Sequence, residues 1–469
     1  MNNQETQQSG QDGILYTGPD TNIWGSSITI GFASAAVMWM VAWLLHMPGV
    51  HVASSIAIPT LMVPLFLISM LWLKGVQPAN RLKVGVIAGF FAGLVNLLIL
   101  GSNIVVQPET TAEMSDQANT LAPNAGVVVL GSLALSMIVG LIAGVVVGKK
   151  ESANPATATT WISRFAWITA LTYLPLIAVG GAVTSTDSGL AVPDAVTTYG
   201  AISILFPLEL MAEPRIFLEH SHRLFGTLAG LTTLVLMLRV LLCENRKLPK
   251  ALTILLFLAV SIQGYMGIIR VAQESTFFAI VHGIFAQLVL AGALSTAIIL
   301  SDKFSNAQPS EKTIEAAKRA RLFLLITFIA LVIQLALGAV TRHLNSGHAM
   351  MAHMGFAFIT IMLVIIGGAL CMRTGKVDPS GKSIRPFGAI MHGLVSVQFM
   401  LGFAVLGMAW EGDDAAALPT AENLALAAPI ETGAALITTA HHIVGALVLA
   451  TAAGALVWAI RLAIKSKIR

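Results

Sequence analysis

Five consecutive residues, Glu219-His220-Ser221-His222-Arg223, place two charges and two imidazoles at the head of an apolar run from Leu224 to Leu238. Ionisable groups are costly in such a setting and are normally kept for a function. His222 has counterparts. His282, His353 and His441 also stand about five to eight residues inside the same end of an apolar run, or roughly 7–12 Å deep at about 1.5 Å per residue. The four fall on every second run. Two helices that each offer one imidazole at a common depth can clamp a planar metal macrocycle, and neutral imidazole is a good axial ligand for haem iron. A lone histidine of this kind more often bonds a neighbouring carbonyl. Four at matched depth favour two haem sites, each between facing helices of a bundle.

The neighbours of the four histidines sharpen this reading. Gly226, Gly283, Gly355 and Gly445 would let a ring approach the backbone. Glu219 lies three residues before His222, on the same helical face, and would point at the edge of the first macrocycle. Its plainer role is a partner for Arg223 or Arg215. No glutamate stands at the matching place before His353, so one site looks equipped for chemistry and the other for electron transfer alone. Arg223, Arg270 and Arg342 lie in or beside the apolar runs. They suit haem propionates through charge-assisted bonds or, equally, the lipid headgroups. Among the remaining histidines, His220 and His442 are displaced around their helices from His222 and His441. His348 is the fallback ligand if His353 is not one. His343 belongs to a connector, His392 to the opposite end, and His46 and His51 to a turn.

The elements that must position these groups are membrane helices. Hydrophobic residues make up 56% of the chain, charged residues 11%, and mean hydropathy is +0.81; soluble domains carry about 25% charge. The small net charge of +4 is spread over short loops, which excludes a nucleic-acid-binding surface. Spans need about 20 apolar residues. Stretch 26–73 holds two, broken at His46-Met47-Pro48-Gly49, and ten more follow at 84–106, 126–148, 165–184, 216–240, 251–269, 276–300, 322–341, 349–372, 387–410 and 433–460. Segment 195–208 is apolar but short and reads as interfacial or re-entrant. With twelve spans every lysine, from Lys74 to Lys467, falls at one end of the bundle, while the loops 109–116 and 411–431 at the other end carry acids. The positive-inside rule then makes both termini cytoplasmic. Residues 1–25 lack a basic segment and read as a short tail rather than a signal peptide. Cys243 and Cys371 fall at the lysine end, where no disulfide is expected. Connector 302–321 mixes Lys, Arg and Glu and reads as partly helical.

The chain also repeats itself. Gly181-Ala182-Val183-Thr184, with Ser188-Gly189 and Ala191, returns as Gly338-Ala339-Val340-Thr341, with Ser346-Gly347 and Ala349. A histidine-bearing span follows each, then a span with Gln263-x-x-x-Gly267 or Gln398-x-x-x-Gly402, then a second histidine-bearing span. The expected fold is all-α and polytopic. Residues 1–150 form a four-helix extension of open role, and 160–302 and 320–469 form two pseudo-symmetric four-helix bundles.

These residues resemble a known family. Glu219-x-x-His222-Arg223 resembles the signature of the heme A synthases. So do Gly189-Leu190-Ala191-Val192-Pro193-Asp194, Gln263-x-x-x-Gly267, His282-x-x-x-Ala286-Gln287 and His441-x-x-x-Gly445-Ala446-Leu447. The resemblance covers about 160–469. It implies oxidation of the C8 methyl of heme O to a formyl group, giving heme A for a terminal oxidase in a bacterial-type inner membrane. It implies heme O between His222 and His282 with Glu219 as the catalytic carboxylate, and a permanent haem b between His353 and His441, with Arg223 and Arg342 beside the cofactors. Quinone as electron acceptor, and contact with a heme O synthase or terminal oxidase, are the partner classes it leaves open. Val192 stands where some members carry a cysteine, which excludes a mechanism needing a loop thiol, and Ala195 replaces a common tryptophan. Residues 1–150 match nothing in the pattern and suit a fused partner, a quinone or delivery module, or a packing platform. The alternative function is a di-haem b-type cytochrome that only transfers electrons. A transporter is a third, weaker reading, because its polar groups belong near the midplane.

Overall fold

The computed structural model describes residues 19–106, 119–148, 156–206, 209–411 and 419–465. Twelve long helices account for nearly all of them: α1 (Pro19–Leu45), α2 (Ser54–Leu73), α3 (Arg81–Leu100), α4 (Ala125–Val147), α5 (Ala158–Ser185), α6 (Pro214–Cys243), α7 (Lys247–Ala272), α8 (Thr276–Ile299), α9 (Glu311–Leu344), α10 (Gly347–Val377), α11 (Arg385–Glu411) and α12 (Thr432–Leu462). All twelve are long and apolar enough to cross a membrane, and each expected span falls on one of them, with 84–106, 126–148 and 276–300 running past the helix end. This is a multi-pass membrane protein whose even number of helices brings both ends of the described chain to one side. Two boundaries differ from expectation. Helix α1 begins at Pro19, inside the stretch read as a tail, because the polar residues Asp20 to Asn22 form its first turn. Connector 302–321 is mostly α9, which starts at Glu311 behind the Ser310 cap, after the one-turn helix Asp302–Ser305. The acidic loop 109–116, the stretch 412–418, residues 1–18 and the lysines 149, 150 and 467 lie outside the described residues.

Without water between them, membrane helices associate through close packing of small residues and through hydrogen bonds. Helices α3 and α4 cross where Gly85 and Gly89 meet Gly140 and Ser136, so close that an added Cβ would strike the opposing backbone. Helix α1 packs on α3 and α5, which joins the first four helices to the rest. Arg239 of α6 makes that joint polar. It donates to Thr29 Oγ1 at 2.8 Å and to the Gly25 carbonyl at 3.2 Å, and lies over the Phe165 ring. Helix α5 packs on α6, α6 on α7, α7 on α8 and α8 back on α5. The same circuit of contacts joins α9, α10, α11 and α12. Helices α8 and α12 pack on each other, as do α5 and α12, around a core that includes Phe165, Tyr173, Phe225, Leu228, Val289 and Ala450. Tyr173 and Thr233 share a hydrogen bond at 2.7 Å inside it.

The histidine-bearing helices start at defined points. Glu213 caps α6 with Pro214 in its first turn, Ser275 caps α8, and Ser346 caps α10. A cap fixes where the helix begins and therefore how deep each later residue lies. Residues 186–206 form no span. They fold back over the end of α6, with Ala191, Val192, Ala201 and Phe206 fully buried against Ile216 and Phe217. Substituting Gly85 by valine should destabilise the first four helices by roughly 1–3 kcal/mol, because the overlap is with backbone that cannot turn aside. Thermal unfolding in detergent should show a lower midpoint for Gly85→Val and no change for Gly126→Ala, where a Cβ meets nothing within 4 Å.

Candidate haem-binding site

His222 and His282 face each other with ring centroids 6.4 Å apart and planes at 72°; His353 and His441 do so at 6.5 Å and 71°. An imidazole nitrogen lies about 2 Å from a bound transition metal, so two rings on opposite sides of one ion have centres roughly 6 Å apart. Both pairs therefore have the spacing of axial ligands on a single iron. The depths also match, with each histidine six to nine residues past the start of its helix: Pro214, Thr276, Gly347 and Thr432. His222 Nδ1 and His282 Nδ1 are buried without a hydrogen bond in the protein. His348, the fallback, is exposed in the first turn of α10.

Each ring is backed by a glycine of the preceding helix. A Cβ on Gly180, Gly267, Gly338 or Gly402 would lie 2.9, 3.1, 2.9 or 3.5 Å from Cε1 of His222, His282, His353 or His441. They are distinct from Gly226, Gly283, Gly355 and Gly445, which are expected to admit the macrocycle itself. A Cβ on Gly283 or Gly355 meets nothing within 4 Å, and one on Gly226 only touches Leu176. The backing glycines were hidden by a shift of register. The repeated Gly-Ala-Val-Thr aligns Gly181 with Gly338, whereas the residue under His222 is Gly180, and Gly181 instead faces His442. The Gln-x-x-x-Gly spacing recurs on α9 as Gln334-x-x-x-Gly338. Gln334 Nε2 lies 3.1 Å from His353 Nδ1, and Gln398 Nε2 lies 3.2 Å from His441 Nδ1.

Glu219 is buried, and both its oxygens face the folded-back loop. Oε1 accepts from Arg223 Nη2 at 2.7 Å, and Oε2 accepts from the Val192 backbone N–H at 2.8 Å. Arg223 also donates to the carbonyls of Thr197, at 2.6 Å, and Asp194, at 2.7 Å. The partner of Glu219 is thus Arg223 and not Arg215, which donates to the Ala428 carbonyl. Val192 contributes its backbone alone, so its side-chain type does not decide this contact. Burial pushes the Tyr199 phenol above its ordinary value, and the nearby carboxylates of Glu219, Glu213 and Asp194 add to the shift. Arg342 donates to Asp187 and to the Thr184 carbonyl, both at 2.6 Å, and so bridges α9 to the end of α5. The Arg270 guanidinium packs on Gly189 within the field of Glu219 and Asp187. Met350 occupies the place before His353 that Glu219 holds before His222.

The other histidines are placed elsewhere. His220 is buried against Phe206, His392 bonds the Ile365 carbonyl, and His46 bonds the Ala42 carbonyl. Cys243 and Cys371 are both free. Gly180→Val and Gly338→Val should each displace one imidazole and remove one bound macrocycle while leaving the other. The absorbance of the purified protein, with haem counted per chain, measures this.

No curated protein and no solved structure matches the chain. Residues 163–351 match the sequence model of the family COX15-CtaA, cytochrome oxidase assembly protein. The matched residues run from α5 into the start of α10 and include Glu219, His222, Arg223, His282 and Arg342, while His353 and His441 lie beyond them. The motif resemblance and this match agree, and over that segment the chain is similar to the COX15-CtaA family of cytochrome oxidase assembly proteins.

Proposed function

We propose that the protein oxidises the C8 methyl of heme O to a formyl group, with heme O held between His222 and His282 and a resident haem b between His353 and His441. The observation that carries this reading is the pair of matched imidazole gaps, of which only the first has a buried carboxylate one turn away. The resident haem supplies one-electron redox chemistry when bound. Conversion of a methyl to an aldehyde with oxygen from water releases four electrons and four protons, so the first site needs a group that handles protons. Glu219 is suited to it. Its oxygens keep lone pairs beyond the contacts to Arg223 and Val192.

Arg223 and Glu219 together close the loop over the first site, which restricts water at the reacting edge. Arg223, Arg342 and Arg270 are the cations within reach of propionates at this end of the bundle, and each guanidinium has five N–H donors. The two four-helix circuits are read as repeats of one unit, and Asp187–Arg342 ties them at the histidine end. The lysine-rich end is cytoplasmic on this reading, with both termini there, in a bacterial-type inner membrane. The first four helices act as a packing platform, since Arg239 binds α1 from inside the catalytic unit. A quinone as electron acceptor, and contact with heme O synthase or the terminal oxidase, follow from the same reading.

The test is expression in a host that makes heme O but lacks its own heme A synthase. Extracted pigment is separated by chromatography and identified by mass. Heme A, or its hydroxylated precursor, should appear with the intact protein. Glu219→Gln should retain haem and lose at least about a hundredfold in product, the range expected for a general acid–base group. Haem b alone, in two equivalents, would instead favour a di-haem cytochrome.

A further inference from the structure

Of the three arginines within reach of propionates, two are committed. Arg223 pairs with Glu219 at 2.7 Å and donates to the carbonyls of Asp194 and Thr197. Arg342 pairs with Asp187 at 2.6 Å and donates to the Thr184 carbonyl. Arg270 is left without a carboxylate of its own. Among the described residues its guanidinium makes no hydrogen bond and no ion pair. It stands three residues past Gly267, the glycine that backs His282, and so lies near the same face of α7, one turn closer to the helix end. The side chain is half-buried under the folded-back loop, where a Cβ on Gly189 would overlap Nη2. Its charge reaches the rings of both His222 and His282, and it stands in the field of Glu219. A half-buried cation without a counter-ion is costly in a membrane protein. The planar fork of a guanidinium matches a carboxylate. The corresponding place on α11, three residues past Gly402, is Val405, which offers no charge.

We propose that Arg270 binds a propionate of the macrocycle in the first gap and thereby sets which edge of the ring faces Glu219. Two axial imidazoles alone leave a ring free to turn about the line that joins them. A third, off-axis contact removes that freedom. In heme O the C8 methyl shares a pyrrole with a propionate, so fastening that propionate at Arg270 keeps the methyl on the side of Glu219. The inference rests on the reading above, in which the first gap takes heme O. A macrocycle that only passes electrons needs no chosen edge, and Val405 provides no anchor for one.

The experiment titrates the full-length protein, expressed in a haem-starved host and kept in detergent, with protohaem and with its dimethyl ester, whose propionates carry no charge. Absorbance gives the affinities, and His282→Ala, which lacks the first clamp, identifies the share of the first gap. There the wild type should bind the free acid at least about tenfold tighter than the ester, the size of one charge-assisted hydrogen bond. Arg270→Gln should lose that preference and bind the ester as the wild type does. An undiminished preference in Arg270→Gln would overturn the inference. So would a wild type that binds acid and ester alike, the result expected of an arginine that meets lipid headgroups. Should Arg270→Gln fail to fold, Gly189→Ala crowds the same guanidinium without removing it and should cut the preference; an unchanged preference there would overturn the inference too. Loss of the preference in Arg270→Gln, with a wild type that makes no heme A, would remove the enzymatic reading and leave the assignment of Arg270 standing.

Discussion

A buried imidazole needs a partner for each nitrogen, and inside a membrane bundle there is no water to supply one. The structure around residues 160–462 is arranged by that constraint. Four helices each carry one histidine at a similar depth, and four others each set a glycine under the ring. The result is two gaps of nearly equal size, 6.4 and 6.5 Å between ring centres. A metal ion in each gap would satisfy one nitrogen of each ring, and the Gln334 backbone carbonyl lies 3.1 Å from His353 Nδ1. At Gly180, Gly267 and Gly338 a Cβ would crowd the ring, which disfavours bulk there. The caps at Glu213, Ser275 and Ser346 matter for the same reason, since they set the depth at which the rings meet.

The asymmetry between the gaps is built from few residues. Glu219, Arg223 and the backbone of Val192 to Thr197 close one end of the first gap, and Met350 stands where a second glutamate would be. Each change is local and leaves the helical frame untouched. On the proposed reading, a repeated unit thus gains one site for turnover and one for a redox group without a new fold. The first four helices add none of these groups. They contribute glycine-lined crossings and, in Thr29 and Gly25, the acceptors of the Arg239 joint, which are devices of packing.

All twelve spans were legible in the sequence because lipid demands long uninterrupted apolar runs, and because a miscounted span would have scattered the lysines to both ends. His222, His282, His353 and His441 were legible because depth along a helix is a matter of counting residues. What faces what across helices is not. Helix rotation and crossing geometry decide it, so the glycines that back the imidazoles, Gly180, Gly267, Gly338 and Gly402, emerge only from the fold. The one-residue offset between Gly181 and Gly180 shows how a repeat can be seen and still be read in the wrong register. Segment 195–208 read as interfacial from its composition. The fold of residues 186–206 over α6 depends on Glu219 and Arg223, 26 to 29 residues away from the groups they hold, as with the Val192 N–H at 2.8 Å and the Thr197 carbonyl at 2.6 Å.

The most direct measurement is electron paramagnetic resonance of the oxidised, purified protein, compared with its His282→Ala and His441→Ala variants. Two low-spin bis-imidazole iron signals are predicted for the wild type, with His282→Ala removing one and His441→Ala the other. If one substitution abolished both signals in a protein that still folds, or if neither substitution changed the spectrum, two independent imidazole clamps would not exist.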